Sequence, residues 1–299
     1  MNSNIDYLKQ LNIKFEIINE IKAQELIDCN FPCSLLLSYS SIFEKYRIKE
    51  KEGKFVNLDF AQLFYLALID EQLRQFLMIL CLEIELKIKT ILIADAQKLN
   101  VEEVFLQDYI NSDIDYLTKT YPNEINDFNL CPNEDLSPLY NFTSAVLFGT
   151  FEKLVHNFYC KYAELIYGKQ RAPFEKYLSS VRRIRNMVAH NSPLLSELSV
   201  NNKMSNNSLS PFLSDKGIKS KTLHTNLSKP IIFDICNIMR LYCGIQSVDK
   251  INKTNKEFKK FLRINYRKYG KYLKTNQTIS SSYTFFKSIV KIFSSKVAI

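Results

Sequence analysis

Residues 57–99 read "NLDFAQLFYLALIDEQLRQFLMILCLEIELKIKTILIADAQKL", without one glycine or proline. Those two residues are the strongest breakers of regular backbone, so an unbroken run of this length commits to one continuous element. Leu66, Ile69, Leu73, Leu77, Leu80, Ile84, Ile88 and Ile91 recur at steps of three and four, the period of an α-helix. Asn57 or Asp59 can cap its start. Asp70, Arg74, Glu83 and Glu85 interrupt the apolar pattern and read as a solvated face. Asp70 and Arg74 are also spaced for an i,i+4 ion pair.

The rest of the chain follows the same grammar. Six glycines and eight prolines in 299 residues are too few turn-formers for a many-stranded sandwich or barrel. Phe151, Leu154, Val155, Phe158, Tyr159 and Tyr162 form one helical stripe, with His156 off it as a surface histidine. A further helix starts near Pro173 and must end near His190, because Pro193 pushes Ser192 out of helical geometry. The expected fold is all-α, in three parts. Residues 1–56 form an N-terminal helical segment packing on the core. Residues 57–248 form the main helical domain, with a polar loop over 196–229 that includes His224. Residues 249–299 form a basic, aromatic-rich C-terminal extension. A second loop, rich in Pro, Asn and acids, is expected around "YPNEINDFNLCPNEDLSP".

Several function classes recede at this point. No apolar run approaches the roughly 20 residues of a membrane helix, and the N-terminus lacks the pattern of a signal peptide. Seven cysteines, with Cys81 and Cys160 inside apolar helical patterns, read as reduced buried thiols of a cytoplasmic protein. Cys29 with Cys33 and Cys236 with Cys243 lack zinc-type spacing, so neither a metal nor another cofactor is expected.

Charge is distributed unevenly. Residues 249–299 hold thirteen Lys and Arg against two acids, a balance of +11, which leaves −2 for the preceding 248 residues of a chain whose net charge is +9. Lys256, Lys259, Lys260, Arg263, Arg267, Lys268, Lys271 and Lys274 supply cations for RNA phosphates. Phe258, Phe261, Tyr266, Tyr269 and Tyr272 between them could stack on bases. Two other readings stay open for this tail: its aromatics pack on the core, or it adsorbs to an anionic membrane, the least favoured of the three.

The segment "SVRRIRNMVAHNSPLL" concentrates the chemistry. Arginine offers a permanent planar cation that matches a phosphate, and histidine moves protons near neutral pH. Together Arg185 and His190 supply what metal-free RNA cleavage needs: proton transfer at the ribose 2′-hydroxyl or the leaving oxygen, and charge stabilisation on phosphorus. Positions 185 and 190 lie about 140° apart on an ideal helix, so one chain aims both at one phosphate only if the helix end unwinds. Asn186 and His190, at i and i+4, share a face. Arg182 and Arg183 add further candidate RNA contacts.

"RNMVAHNS" (185–192) resembles the Arg-Asn-x-x-Ala-His-His/Asn-Ser signature of Abi-like proteins, the bacterial abortive-infection family within the HEPN superfamily. "LIDEQLRQFLM" (68–78), "LEIELKIKTIL" (82–92) and "VLFGTFEKLVHNF" (146–158) resemble further segments of that family in the same order, over approximately residues 20 to 245. The resemblance implies a HEPN-like helical bundle that acts as a homodimer, with Arg and His from two chains meeting at one composite site. It implies a metal-independent endoribonuclease, a toxin of antiviral defence, whose 2′-hydroxyl attack leaves a 2′,3′-cyclic phosphate. By position Arg185 becomes the phosphate stabiliser, His190 the proton carrier and Asn186 its support, while Arg74 and Glu85 match structural positions. Asn191 stands where many relatives have a second histidine, and Lys89 where they often have arginine. Besides substrate RNA, a structured regulatory RNA and an antitoxin are partners to consider. The alternatives are a non-catalytic RNA-binding protein, and a protein–protein module with a docking tail.

Overall fold

A computed structural model of the chain describes residues 4–47, 51–121, 137–169, 171–202 and 209–296. Among the described residues the secondary structure is helical, and the only extended pairings are two isolated bridges, Lys14 with Asp59 and Lys45 with Phe55. The chain divides into two compact units. One comprises Met1–Ile79 with Ile184–Ala298, the other Leu80–Arg183.

The long uninterrupted run forms α4 (Phe60–Leu99). Its start is fixed by Asp59. The Asp59 carboxylate accepts from the Ala61 N–H at 2.9 Å, an N-cap bond, and the Gln62 side chain reaches back to accept from the Asp59 N–H at 3.0 Å. The other Asp59 oxygen accepts from the Glu16 N–H at 2.8 Å and so ties the N-terminal segment to this helix end.

In the first unit α1 (Asn4–Gln10), α2 (Glu20–Cys29), α3 (Cys33–Ser38) and a 3-10 turn (Tyr39–Ile42) precede α4. Leu8, Ile13, Leu36, Tyr39 and Phe55 share one core with Phe60, Leu63 and Leu66 of α4. The unit resumes with the end of α9 (Glu175–Ala189) and a second 3-10 turn (Leu195–Ser199). It continues through α10 (Leu209–Asp215), α11 (Ser220–Leu227), α12 (Pro230–Ile245), α13 (Val248–Leu273) and α14 (Gln277–Ile292). α12 is buried nearly all round, as its unbroken "IIFDICNIMRLYCGI" demands.

One expectation needs correction here, and one reading left open is narrowed. The 196–229 stretch is not one polar loop: α10 and α11 form inside it, because Leu209/Leu213 and Leu223/Leu227 are i,i+4 pairs that each bury a narrow face. His224 sits exposed on α11. The tail aromatics are also largely spent on the core. Phe258 is 1% exposed and stacks on Phe76 at 4.9 Å, while Tyr269 and Tyr272 pack on Tyr65 at 4.7 and 5.1 Å.

In the second unit the later part of α4 packs with α5 (Glu102–Ser112), α6 (Ile114–Thr120), α7 (Pro138–Ala145), α8 (Phe148–Tyr167) and the start of α9. Leu80, Cys81, Ile84, Ile88, Leu92 and Ala96 are its buried positions on α4, so the buried line passes through Leu92 rather than Ile91. Most of the expected loop "YPNEINDFNLCPNEDLSP" lies outside the described residues. Cys160, placed in an apolar pattern by the sequence, is exposed, as is Cys29; Cys81, Cys236 and Cys243 are buried.

Candidate functional site at the end of the motif helix

α9 carries the motif to its last residue. Tyr177, Leu178 and Val181, which fall in the second unit, and Ile184 and Val188, which fall in the first, are buried positions along it. The His190 N–H still donates to the Asn186 carbonyl at 3.0 Å, so helical register persists to the histidine. Termination follows at once. The Asn191 N–H donates to Val188 at 3.1 Å and the Ser192 N–H to Met187 at 2.8 Å, with Asn191 left-handed at φ 52°. This pair of bonds is a Schellman motif, which favours glycine or asparagine at the left-handed position. Asparagine at position 191 therefore has a local rationale. Asparagine adopts that conformation more readily than most residues.

The helix end does not unwind before His190. Arg185 and His190 therefore leave the helix about 140° apart, and one chain does not present them on one face. Asn186 and His190 do share a face, and both are exposed. Arg185 is half-buried, with its Nε enclosed. Arg182 is exposed and its Nε meets the Glu152 carboxylate at 3.1 Å, within the second unit; Arg183 is half-buried there. Burial raises the Glu152 pKa, with Arg182 and then His156 pulling it back.

A buried polar anchor fixes the chain just beyond the motif. Asp70, fully buried on α4, pairs with the Arg74 guanidinium and accepts from the Tyr39 hydroxyl at 3.0 Å. Its second oxygen accepts from the Leu195 N–H at 2.7 Å, the first residue of the 3-10 turn that follows the motif. Burial pushes the Asp70 pKa up, against the pull of the Leu195 N–H and Arg74. Asp70 and Arg74 are thus interior groups, not part of a solvated face. Nothing in the local sequence points to Leu195; only the long-range fold brings it there. Glu85 and Lys89 make a second i,i+4 pair at 3.0 Å, and Lys89 also lies over the Phe151 ring at 5.6 Å.

The C-terminal cations are placed on the outside of α13 and at its end. Ile251, Asn255, Phe258, Leu262, Asn265 and Leu273 form its buried face. Lys256, Lys259, Lys260, Arg263, Arg267, Lys268, Lys271 and Lys274 are all exposed. Lys253, Lys256, Lys260, Arg263, Arg267, Lys271 and Lys274 follow one another at steps of three and four, so they line the side opposite the buried face. At 1.5 Å per residue this ridge is about 30 Å long. Phe261, Tyr269 and Tyr272 are half-buried, and the 53%-exposed Tyr266 stacks on Tyr283 at 4.7 Å. The ridge therefore offers charge, with few rings free to stack on bases.

Among the described residues no three His, Cys, Asp or Glu side chains gather as metal ligands would. None of the described helices is long and apolar enough to cross a membrane. The family model described as Abi-like protein matches residues 33–196, more than half of the chain and ending on the 3-10 turn that Asp70 anchors. No curated protein and no solved structure matches the chain.

Proposed function

The chain belongs to the Abi-like protein family, whose name fits a role in abortive infection, and on that premise we propose that it is a metal-independent endoribonuclease of the HEPN type. The observation that carries this reading is the exposure of Asn186 and His190 on one face at a firmly terminated helix end. There the imidazole takes the 2′-hydroxyl proton or gives one to the leaving oxygen, and Asn186, one turn back, supports it. Arg185 of a second subunit supplies the guanidinium that stabilises charge on phosphorus. Helix geometry is compatible with this composite arrangement, since a single wound helix separates the two groups by about 140°.

The exposed apolar side chains Leu82 and Leu86 of α4, 50% and 59% exposed and four residues apart within the second unit, support association with a second copy. The decisive experiment is incubation with total cellular RNA in excess EDTA, followed by mapping of 5′-hydroxyl ends. Wild type cuts, while Arg185→Ala and His190→Ala do not. An equimolar mixture of the two variants regains cutting, because a mixed dimer still holds one arginine and one histidine on different chains. No recovery from a mixture that does form mixed dimers removes the composite site.

The basic ridge of α13 favours one alternative, a non-catalytic protein that holds RNA through its phosphates. RNA binding that weakens steeply with salt, without new 5′-hydroxyl ends, selects it.

A further inference from the structure

α13 contains a glycine, Gly270, inside its final turns, where glycine is the poorest helix former after proline. The reason is steric. A Cβ at this position would lie 3.0 Å from Cδ2 of Tyr266 and 3.3 Å from its Cε2, so the Tyr266 ring occupies the space a side chain would need. The same ring stacks on Tyr283 of α14, with centroids 4.7 Å apart and planes 11° apart. Tyr266, Tyr283 and the exposed Lys274 and Ser280 form the rim of a cavity of about 150 Å³.

The interior of this cavity is apolar. Leu66 and Leu73 of α4, Leu198 of the second 3-10 turn, Phe258 of α13 and Phe286 of α14 line it, each at least nine-tenths buried. Phe258 and Phe286 meet edge to face at 77°. Two polar side chains join the wall. Ser282 donates to the Thr278 carbonyl at 2.8 Å, so its hydroxyl is already engaged. Asn265, 6% exposed, donates to Gln72 at 3.1 Å and to the Phe261 carbonyl at 3.0 Å, and its Oδ1 is unpaired.

We infer that this cavity binds a neutral single-ring aromatic molecule of benzene or phenol size. Its volume equals that of an engineered apolar cavity that takes up one benzene, so a single ring fits. Flat rings at wall and rim suit an aromatic guest through offset and edge contacts. A charged guest is disfavoured, because the interior holds no side chain to pair with it. The unpaired Asn265 oxygen leaves room for one hydrogen-bond donor, as phenol carries. Such a guest also braces the 3-10 turn held by Asp70, five residues beyond His190. Binding itself does not depend on the nuclease reading.

The full chain is titrated with benzene and with phenol, following heat of binding and melting temperature. The expected result is saturable one-to-one binding with a rise in melting temperature. Leu198→Phe fills the cavity and abolishes binding. Gly270→Ala, a favourable change for the helix itself, displaces the Tyr266 ring and weakens binding several-fold. Absence of saturable binding up to the solubility limit of both probes overturns the inference. So does binding that survives Leu198→Phe or, should that variant not fold, binding unchanged by Gly270→Ala.

Discussion

Asp70 with Arg74 and Asn186 with His190 look alike in sequence: each is a polar pair, four residues apart, inside a helical apolar pattern. In the fold they are opposites. The first pair is 0% and 7% exposed, bonded to Tyr39 and to the backbone of Leu195. The second is exposed at the last turn of its helix. Spacing sets which side chains can meet, but burial decides what a polar pair is for. A buried pair must be satisfied internally and so becomes an anchor, whereas an exposed pair keeps its hydrogen-bonding capacity for a ligand.

The strongest way to break this contrast is to truncate one member of each pair. Arg74→Ala leaves the Asp70 carboxylate buried without its counter-ion and is expected to cost about 3–5 kcal/mol. His190→Ala removes an exposed group and is expected to change stability by less than about 0.5 kcal/mol. Chemical denaturation of the two variants checks both values. The double change Asp70→Leu with Arg74→Met sharpens the point. It removes the unpaired charge but leaves the Leu195 N–H and the Tyr39 hydroxyl without their acceptor, so about 1–3 kcal/mol of the loss remains. Equal stability loss in Arg74→Ala and His190→Ala contradicts the division into anchor and site.

The sequence made some of this legible and hid the rest for identifiable reasons. α4 was readable because its signals are local: no breaker in the run, an acidic cap and a steady three-four period. The end of α9 was equally readable from Pro193. The anchor was not, because Asp70 receives the Leu195 N–H from 125 positions along the chain, and no local pattern encodes such a partner. α10 and α11 were masked by the Ser, Asn and Lys around their short leucine pairs. In the tail, cations and aromatics alternate at compatible periods, so the sequence left open whether the rings face RNA or core. The buried Phe258 and the Tyr65 stacks assign most of them to the core.

That assignment leads to the second prediction, which sets α13 against the motif helix. Neutralising Lys256, Lys260, Arg263 and Arg267 to glutamine removes four exposed cations of one ridge. If each contacts one phosphate, the slope of log affinity against log salt becomes shallower by about 3, at roughly 0.7–0.9 per contact. Because few rings are free to stack, affinity is expected to vary little between RNA homopolymers, whereas stacking platforms discriminate by base. Filter binding over a salt series measures both. An unchanged slope removes α13 from the RNA-binding surface, while His190→Ala is expected to leave the slope as it is.

The smallest effect concerns a buried cation that has no such partner set. Lys229 is 5% exposed, and its ammonium donates to the Thr225 carbonyl at 2.9 Å. Burial lowers its pKa, and its place just before α12 sets it at the positive end of the helix dipole. The folded state therefore binds fewer protons than the unfolded chain as pH approaches the ordinary lysine value of about 10.4. Stability must rise with pH between the lowered folded pKa and that value. Lys229→Met, which keeps most of the side-chain volume, removes this rise and at pH 7 is expected to be neutral or stabilising by no more than about 1 kcal/mol. Parallel pH–stability curves for wild type and Lys229→Met would mean that burial does not disfavour the ammonium, whereas a wild-type curve that falls relative to the variant's towards high pH would mean that the fold favours its charge, and it would then belong with Arg74 as an anchor.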